Sequence, residues 1–181
     1  MSADGLQFNT DWRLVKFEDK NDKLAKKIRA GEITVDEVVD SSFEESFIHG
    51  NAATTAGIKF LTYYLCGLGG APSSTNLFDN GHAYLVTGKG SGAAAQTDSY
   101  ATFDTPSAMA SDGSFPTLSG ASPWVLTWES TWGGSDANQA WNEFGVGNTS
   151  AAAVLFNRVV ASKGTKSSGE TWVLQLAITF T

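Results

Sequence analysis

Apolar and polar residues alternate at two widely separated places in this 181-residue chain. Near the N-terminus Leu6, Phe8, Trp12, Leu14 and Phe17 recur at mostly even spacing between Gln7, Asn9, Asp11, Arg13 and Lys16. That spacing predicts extended chain with one apolar face. About a dozen residues cannot bury such a face alone, so it must dock on its own body or on a partner. At the other end Trp172, Leu174, Leu176, Ile178 and Phe180 oppose Val173, Gln175, Ala177 and Thr179, the clearest strand in the chain.

Helical spacing fills the stretch after the first alternation. Asp19–Ala30 carries Leu24 and Ile28 four apart, has Lys26, Lys27 and Arg29 late as the helix dipole prefers, and stops at Gly31. A second helix is expected from Thr34, whose spacing to Glu37 fits a capping box, with Ile33 positioned to staple onto Val38. Val35, Val39, Phe43 and Phe47 would form its buried stripe, with His49-Gly50-Asn51 as its end. Residues 52–71 read as a third helix with Ile58, Leu61, Leu65 and Leu68 inward. A buried strand is the alternative there, because Thr, Tyr and Phe are frequent.

Beyond Pro72 short strands follow between Gly, Ser, Asn and Pro turns. His82–Thr87, Trp124–Trp132, Trp141–Val146 and Val154–Ala161 are the candidates, and 163–169 reads as a hairpin loop before the last strand. Trp124, Trp128 and Trp132 are spaced by four, which would also suit a helix. Pro123 before them, Gly133-Gly134 after them and the threonines between favour a strand. The fold expected is mainly β with an α-helical N-terminal part (α+β). An antiparallel β-sandwich or jelly-roll-like region, 51–181 with an initial helix, follows a partner-docking arm and helices over 1–50.

Charge sharpens that division. Residues 1–50 hold 18 of the 31 charged side chains, and the rest of the chain is rich in Gly, Ala, Ser, Thr and Trp. A net charge of −7 supplies no basic field for nucleic acid. The cluster Lys23, Lys26, Lys27 and Arg29 is interleaved with Asp19, Asp22 and Glu32, as on a solvated helix face. Cys66 is a lone cysteine in an apolar run and reads as a small buried hydrophobe. Residues 1–9 lack the basic start and apolar core of a signal peptide, and the longest apolar stretch, about 58–68, falls short of the roughly 20 residues a bilayer needs. A soluble protein made in a cytoplasm, with no membrane partner, is expected.

Candidate chemistry is sparse, and neither a metal nor a cofactor is expected. His49 and His82 have no His or Cys at ligand spacing, and there is no Gly-x-Ser-x-Gly elbow. Thr87-Gly88-Lys89-Gly90-Ser91-Gly92 looks like a phosphate loop but lacks its spacing, so a strand-to-strand loop is the better reading. Glu129, Asp136 and Glu143 lie in a Trp-rich region that invites comparison with glycoside chemistry, yet the tryptophans alternate as a core does. Asn148-Thr149-Ser150 matches a glycosylation acceptor that has no meaning without secretion. Arg158 stands out within Val154-Leu155-Phe156-Asn157-Arg158-Val159-Val160, and a charge in such a strand needs a partner. Glu143 on the preceding strand is the candidate, with an edge position facing solvent as the alternative.

Around these residues the chain resembles a known family. Ala137-Asn138-Gln139-Ala140-Trp141-Asn142-Glu143-Phe144-Gly145-Val146-Gly147-Asn148, Leu155-Phe156-Asn157-Arg158, Gly164-Thr165-Lys166 and the Trp-led last strand are similar to a C-terminal pattern of tailed-bacteriophage virion proteins. There a Trp-Asn-Glu-x-Gly-x-x-Asn segment precedes a Leu-x-Asn-Arg strand and a closing strand. Tyr84-Leu85-Val86-Thr87-Gly88-Lys89-Gly90 and the following 93–98 also resemble that family's glycine-and-alanine turn. The likeness covers about 75–181 and leaves the first 50 residues out. It implies a non-enzymatic virion component, assembled in the host cytoplasm. The leading expectation is a capsid decoration protein whose Leu6–Phe17 arm clips to the major capsid protein or a sister copy in a homo-oligomer. The rivals are a tail, baseplate or fibre component, or a glycan-binding receptor module in which Trp132 and Trp141 stack on sugar.

Overall fold

The two alternating segments find each other. In the computed structural model, which describes residues 8–50, 52–66, 78–120, 123–150 and 154–180, β1 (Phe8–Glu18) pairs antiparallel with β10 (Glu170–Phe180) along its whole length, from Phe8 opposite Phe180 to Glu18 opposite Glu170. Register puts Trp12 across from Leu176 and Leu14 across from Leu174, so the apolar faces of both strands coincide. β10 also pairs with β7 (Trp124–Trp132), and β1 with β2 (Glu44–His49). With β6 (Thr117–Ser119) at the far edge, the first sheet runs β2-β1-β10-β7-β6.

The second sheet is assembled from β3 (Ala52–Ala53), β4 (Tyr84–Gly88), β5 (Ser107–Ala110), β8 (Glu143–Gly147) and β9 (Leu155–Val160), in the order β3-β9-β8-β4-β5. Every pairing in both sheets is antiparallel. The facing sides share one apolar core. Trp12, Leu14, Trp128, Trp132, Trp172, Leu174 and Leu176 come from the first sheet, and Leu85, Phe144, Val146 and Val159 from the second. Trp141, on the segment leading into β8, sits in the middle with ring centroids 5.1 Å from Trp132 and 4.9 Å from Trp172, both edge-on. Each such side chain taken fully out of water contributes roughly 1.5–3 kcal/mol.

Each sheet has an outer cover. Helices α1 (Lys23–Arg29) and α2 (Val35–Val38) pack Ile28 and Val35 onto Val15, Phe17 and Val173 on the outer face of the first sheet. The Asp19 carboxylate accepts the amides of Lys23 and Ala25, both at 3.0 Å, and the Thr171 hydroxyl at 2.9 Å, tying the start of α1 to β10. Over the second sheet, Phe103 from the loop between β4 and β5 packs on Val86 and Leu155. A third helix, α3 (Thr55–Cys66), crosses β9 at Gly57, where a Cβ would collide with the Phe156 backbone.

Several expectations change. Residues 8–18 are a central strand, not a free arm: Trp12, Leu14 and Phe17 are all but fully buried within the chain's own fold. Leu6 lies outside the described residues, and Phe8 opens β1. The division near residue 50 therefore separates no packing units, because β1 and β2 belong to the same sheet as β7 and β10. The second helix is also cut short. α2 keeps its capping box, with the Thr34 amide donating to Glu37 at 2.7 Å, but it ends at Val38 and, after one tight turn, the chain becomes β2. Phe43 and Phe47 are then exposed, at 52% and 53%, not buried on a helical stripe. A spacing of four is even, so it suits one face of a strand as well as one face of a helix.

Over 52–71 a helix forms from Thr55 to Cys66, but Ile58 is exposed; Leu68 lies outside the described residues. Among the described residues no helix is long and apolar enough to cross a membrane.

Candidate functional site: a buried ion cluster under a glycine loop

β8 and β9 build the site through a break in their pairing. Arg158 lies opposite Gly145, but a register shift beyond Val146 puts Leu155 opposite Gly147, so one residue of β9 is extra. Phe144, Val146 and Val159 turn inward to the common core, while Leu155 joins Phe103 on the outside. Arg158 and Glu143 come together beneath the loop that follows β4.

The Arg158 guanidinium is buried and held by two carboxylates and a backbone carbonyl. Its Nε and Nη2 donate to Glu143 Oε2 at 2.9 and 2.6 Å, Nη1 donates to Asp98 Oδ2 at 2.9 Å, and Nη2 also reaches the Gly92 carbonyl at 3.1 Å. The ring of Phe103 lies 5.5 Å from the guanidinium carbon. Arg158 is 2% exposed and Glu143 0%. Burial opposes the positive charge, but the hydrogen bonds and charges of Glu143 and Asp98 outweigh it, so Arg158 holds its proton more tightly than usual. The second Glu143 oxygen accepts the amides of Gly90 at 2.7 Å and Asp104 at 2.8 Å.

This carboxylate explains the glycines of the phosphate-loop look-alike. A Cβ on Gly88 or Gly90 would stand 2.5 Å from Glu143 Oε1. Glycine is required because backbone presses directly onto the acid, and the space a phosphate would need is filled by Glu143. Asn157 Oδ1 accepts the Val146 amide at 3.1 Å and Asn148 Oδ1 the Val154 amide at 2.8 Å, so both asparagines hold the irregular strand pair in shape. Gly88, Gly90, Glu143, Asn148, Asn157 and Arg158 thus converge on one framework.

Lys166 is another buried cation. It is 1% exposed, and its Nζ donates to the Gly133 carbonyl at 2.5 Å and to Asn138 Oδ1 at 3.1 Å. Burial lowers its pKa, against the pull of Asp136, Glu170 and Asp22 and with the push of Arg29. The segment read as a hairpin loop is therefore anchored, and Lys166 fastens the turn between β7 and Trp141.

The other chemical candidates are separately engaged. Asp136 takes Arg29 at 2.5 Å and the Gly133 amide at 2.8 Å. Glu129 sits on the outer face of β7, 3% exposed, with Gln175 Nε2 donating to it at 2.5 Å. Burial above all, helped by Asp112 and Asp36 and opposed by the Gln175 bond and Arg13, pushes its pKa up to about 7. His49 meets Asp11 at 2.7 Å and His82 meets Asp79 at 2.6 Å. Among the described residues no three His, Cys, Asp or Glu side chains gather as a metal-binding group. Trp132 and Trp141 are core residues at 1% and 0% exposure and cannot stack on a sugar; Trp124, at 49%, is the exposed tryptophan among the described residues.

Sequence reasoning missed Asp98, which the Gly- and Ala-rich loop presents with no local pattern around it. It also missed Lys166, whose flanking Gly and Ser residues suggest solvent. No family model, curated protein or solved structure matches this chain.

Proposed function

We propose that the protein is a non-enzymatic structural component of a tailed-bacteriophage virion, a capsid decoration protein of β-sandwich or jelly-roll type that binds the major capsid protein and sister copies. One observation carries this reading. Within the segments that carry the virion resemblance, Glu143, Arg158, Asn148, Asn157 and Lys166 all bind backbone, and Gly88 and Gly90 leave room for Glu143. They define a scaffold and present no reactive group outward.

Attachment then falls to the outside. Phe43 and Phe47 project from the edge of the first sheet beside Glu44 and Glu45, and apolar anchors rimmed by charge suit a contact repeated over a symmetric shell. Co-sedimentation with purified empty shells tests the proposal. The intact protein is expected to pellet with shells, and the double variant Phe43→Ser, Phe47→Ser to remain in the supernatant. Antibody labelling of intact particles, read by negative stain, separates a head position from a tail, baseplate or fibre position. Trp124 is the residue on which a glycan-binding reading now stands, and a silent glycan array would remove it.

A further inference from the structure

The two sheets do not close completely on each other at the end where α3 lies. Phe60 of α3 packs edge-on against Phe78, with ring centroids 5.1 Å apart, and Phe78 packs edge-on against Phe156 of β9 at 5.6 Å. Trp128 Nε1 donates to the Phe78 carbonyl at 2.8 Å, fixing the indole and using its one polar atom. Between these rings and Leu126 and Ile178 remains a partly open cavity of about 130 Å³. All the described side chains around it are aliphatic or aromatic.

Such a space has no use for water, which needs two to four polar partners to be held. An apolar cavity of roughly 150 Å³ stays dry and takes up benzene or xenon, and this one is close to that size. The exposed neighbours of the wall in the first sheet are apolar too. Leu118 stands directly across from Leu126 and Trp124 directly across from Phe180, another wall residue, and they are 60% and 49% exposed. We propose that this cavity is a binding site for a small uncharged hydrocarbon of about one six-membered ring, a property separate from any role in a virion. A ligand carrying a hydroxyl loses water there and gains no partner, so the site discriminates by polarity at nearly constant shape.

Benzene and phenol are the probes. Benzene is expected to stabilise the protein saturably, lowering the unfolding equilibrium constant about 11-fold at a free concentration ten times its Kd, and phenol at equal concentration is expected to do far less. Leu61, also on the wall, offers a filling variant: folded Leu61→Trp should lose the benzene response. Methyl-resolved NMR of the wild type serves if that variant does not fold, with benzene shifting the Leu126 and Ile178 methyls. The proposal is overturned by no stabilisation at benzene saturation, by an equal response to phenol, by an unchanged response in folded Leu61→Trp, or by methyl shifts confined to other parts of the core.

Discussion

Replacing Glu129 by Gln should make the protein more stable at pH 8, with a much smaller gain at pH 5. The carboxyl sits on the outer face of β7 and is 3% exposed, with Gln175 donating to it and the Asp112 amide donating to its backbone carbonyl at 2.8 Å. Burial lifts its pKa from the ordinary 4.5 to about 7. A carboxyl raised in this way favours the folded state when protonated. That contribution is fully present below 4.5, fades as pH rises, and is gone above about 7. The gap between 4.5 and about 7, at about 1.4 kcal/mol per pH unit, is worth about 3 kcal/mol. Burial also raises Asp112, whose carboxylate takes the Thr131 hydroxyl at 2.6 Å, so it acts in the same direction. Glutamine keeps an oxygen for Gln175 and carries no charge at any pH. Urea denaturation of both proteins at pH 5 and pH 8 measures the difference, and titrations common to both cancel in the comparison. A Gln variant that is less stable than the wild type at pH 8, or that keeps the wild type's full pH dependence, would refute the reasoning.

Three further outcomes follow from the same geometry. Arg158→Ala strands Glu143 and Asp98 in the interior and should cost about 3–5 kcal/mol in chemical denaturation; an unchanged midpoint would show that the cluster does not hold the fold. Gly90→Ala drives a methyl to 2.5 Å from Glu143 Oε1 and should cost about 1–3 kcal/mol, which thermal melts beside the harmless control Gly92→Ala, with open space around it, can resolve. Phe43→Ser with Phe47→Ser should change stability by no more than about 0.5 kcal/mol per site while abolishing shell binding, and a large drop in melting temperature would mean those rings belong to the core.

Part of the site is legible from residue types alone. An arginine inside an apolar strand requires a counter-charge, and the nearest acid on the preceding strand, Glu143, is the one the fold delivers at 2.6 Å. Asp98, also bound to that arginine, sits on a loop whose path no periodicity describes. The buried tryptophans follow the same division. Alternation in β7 and β10 predicts a face, but only contact between sheets decides that Trp132 and Trp141 are interior and Trp124 is not.

The local pattern by itself determined the mainly β character, the capping box at Thr34, the extended state of residues 8–18 and the pairing demand of Arg158, because each depends on neighbours a few positions away. Tertiary structure alone decided what each surface met. The apolar face near the N-terminus reads identically whether its cover is another molecule or its own last strand, and here Leu14 finds Leu174. Hydrophobic burial carries no address: it requires that a face be covered, and chain topology supplies the cover.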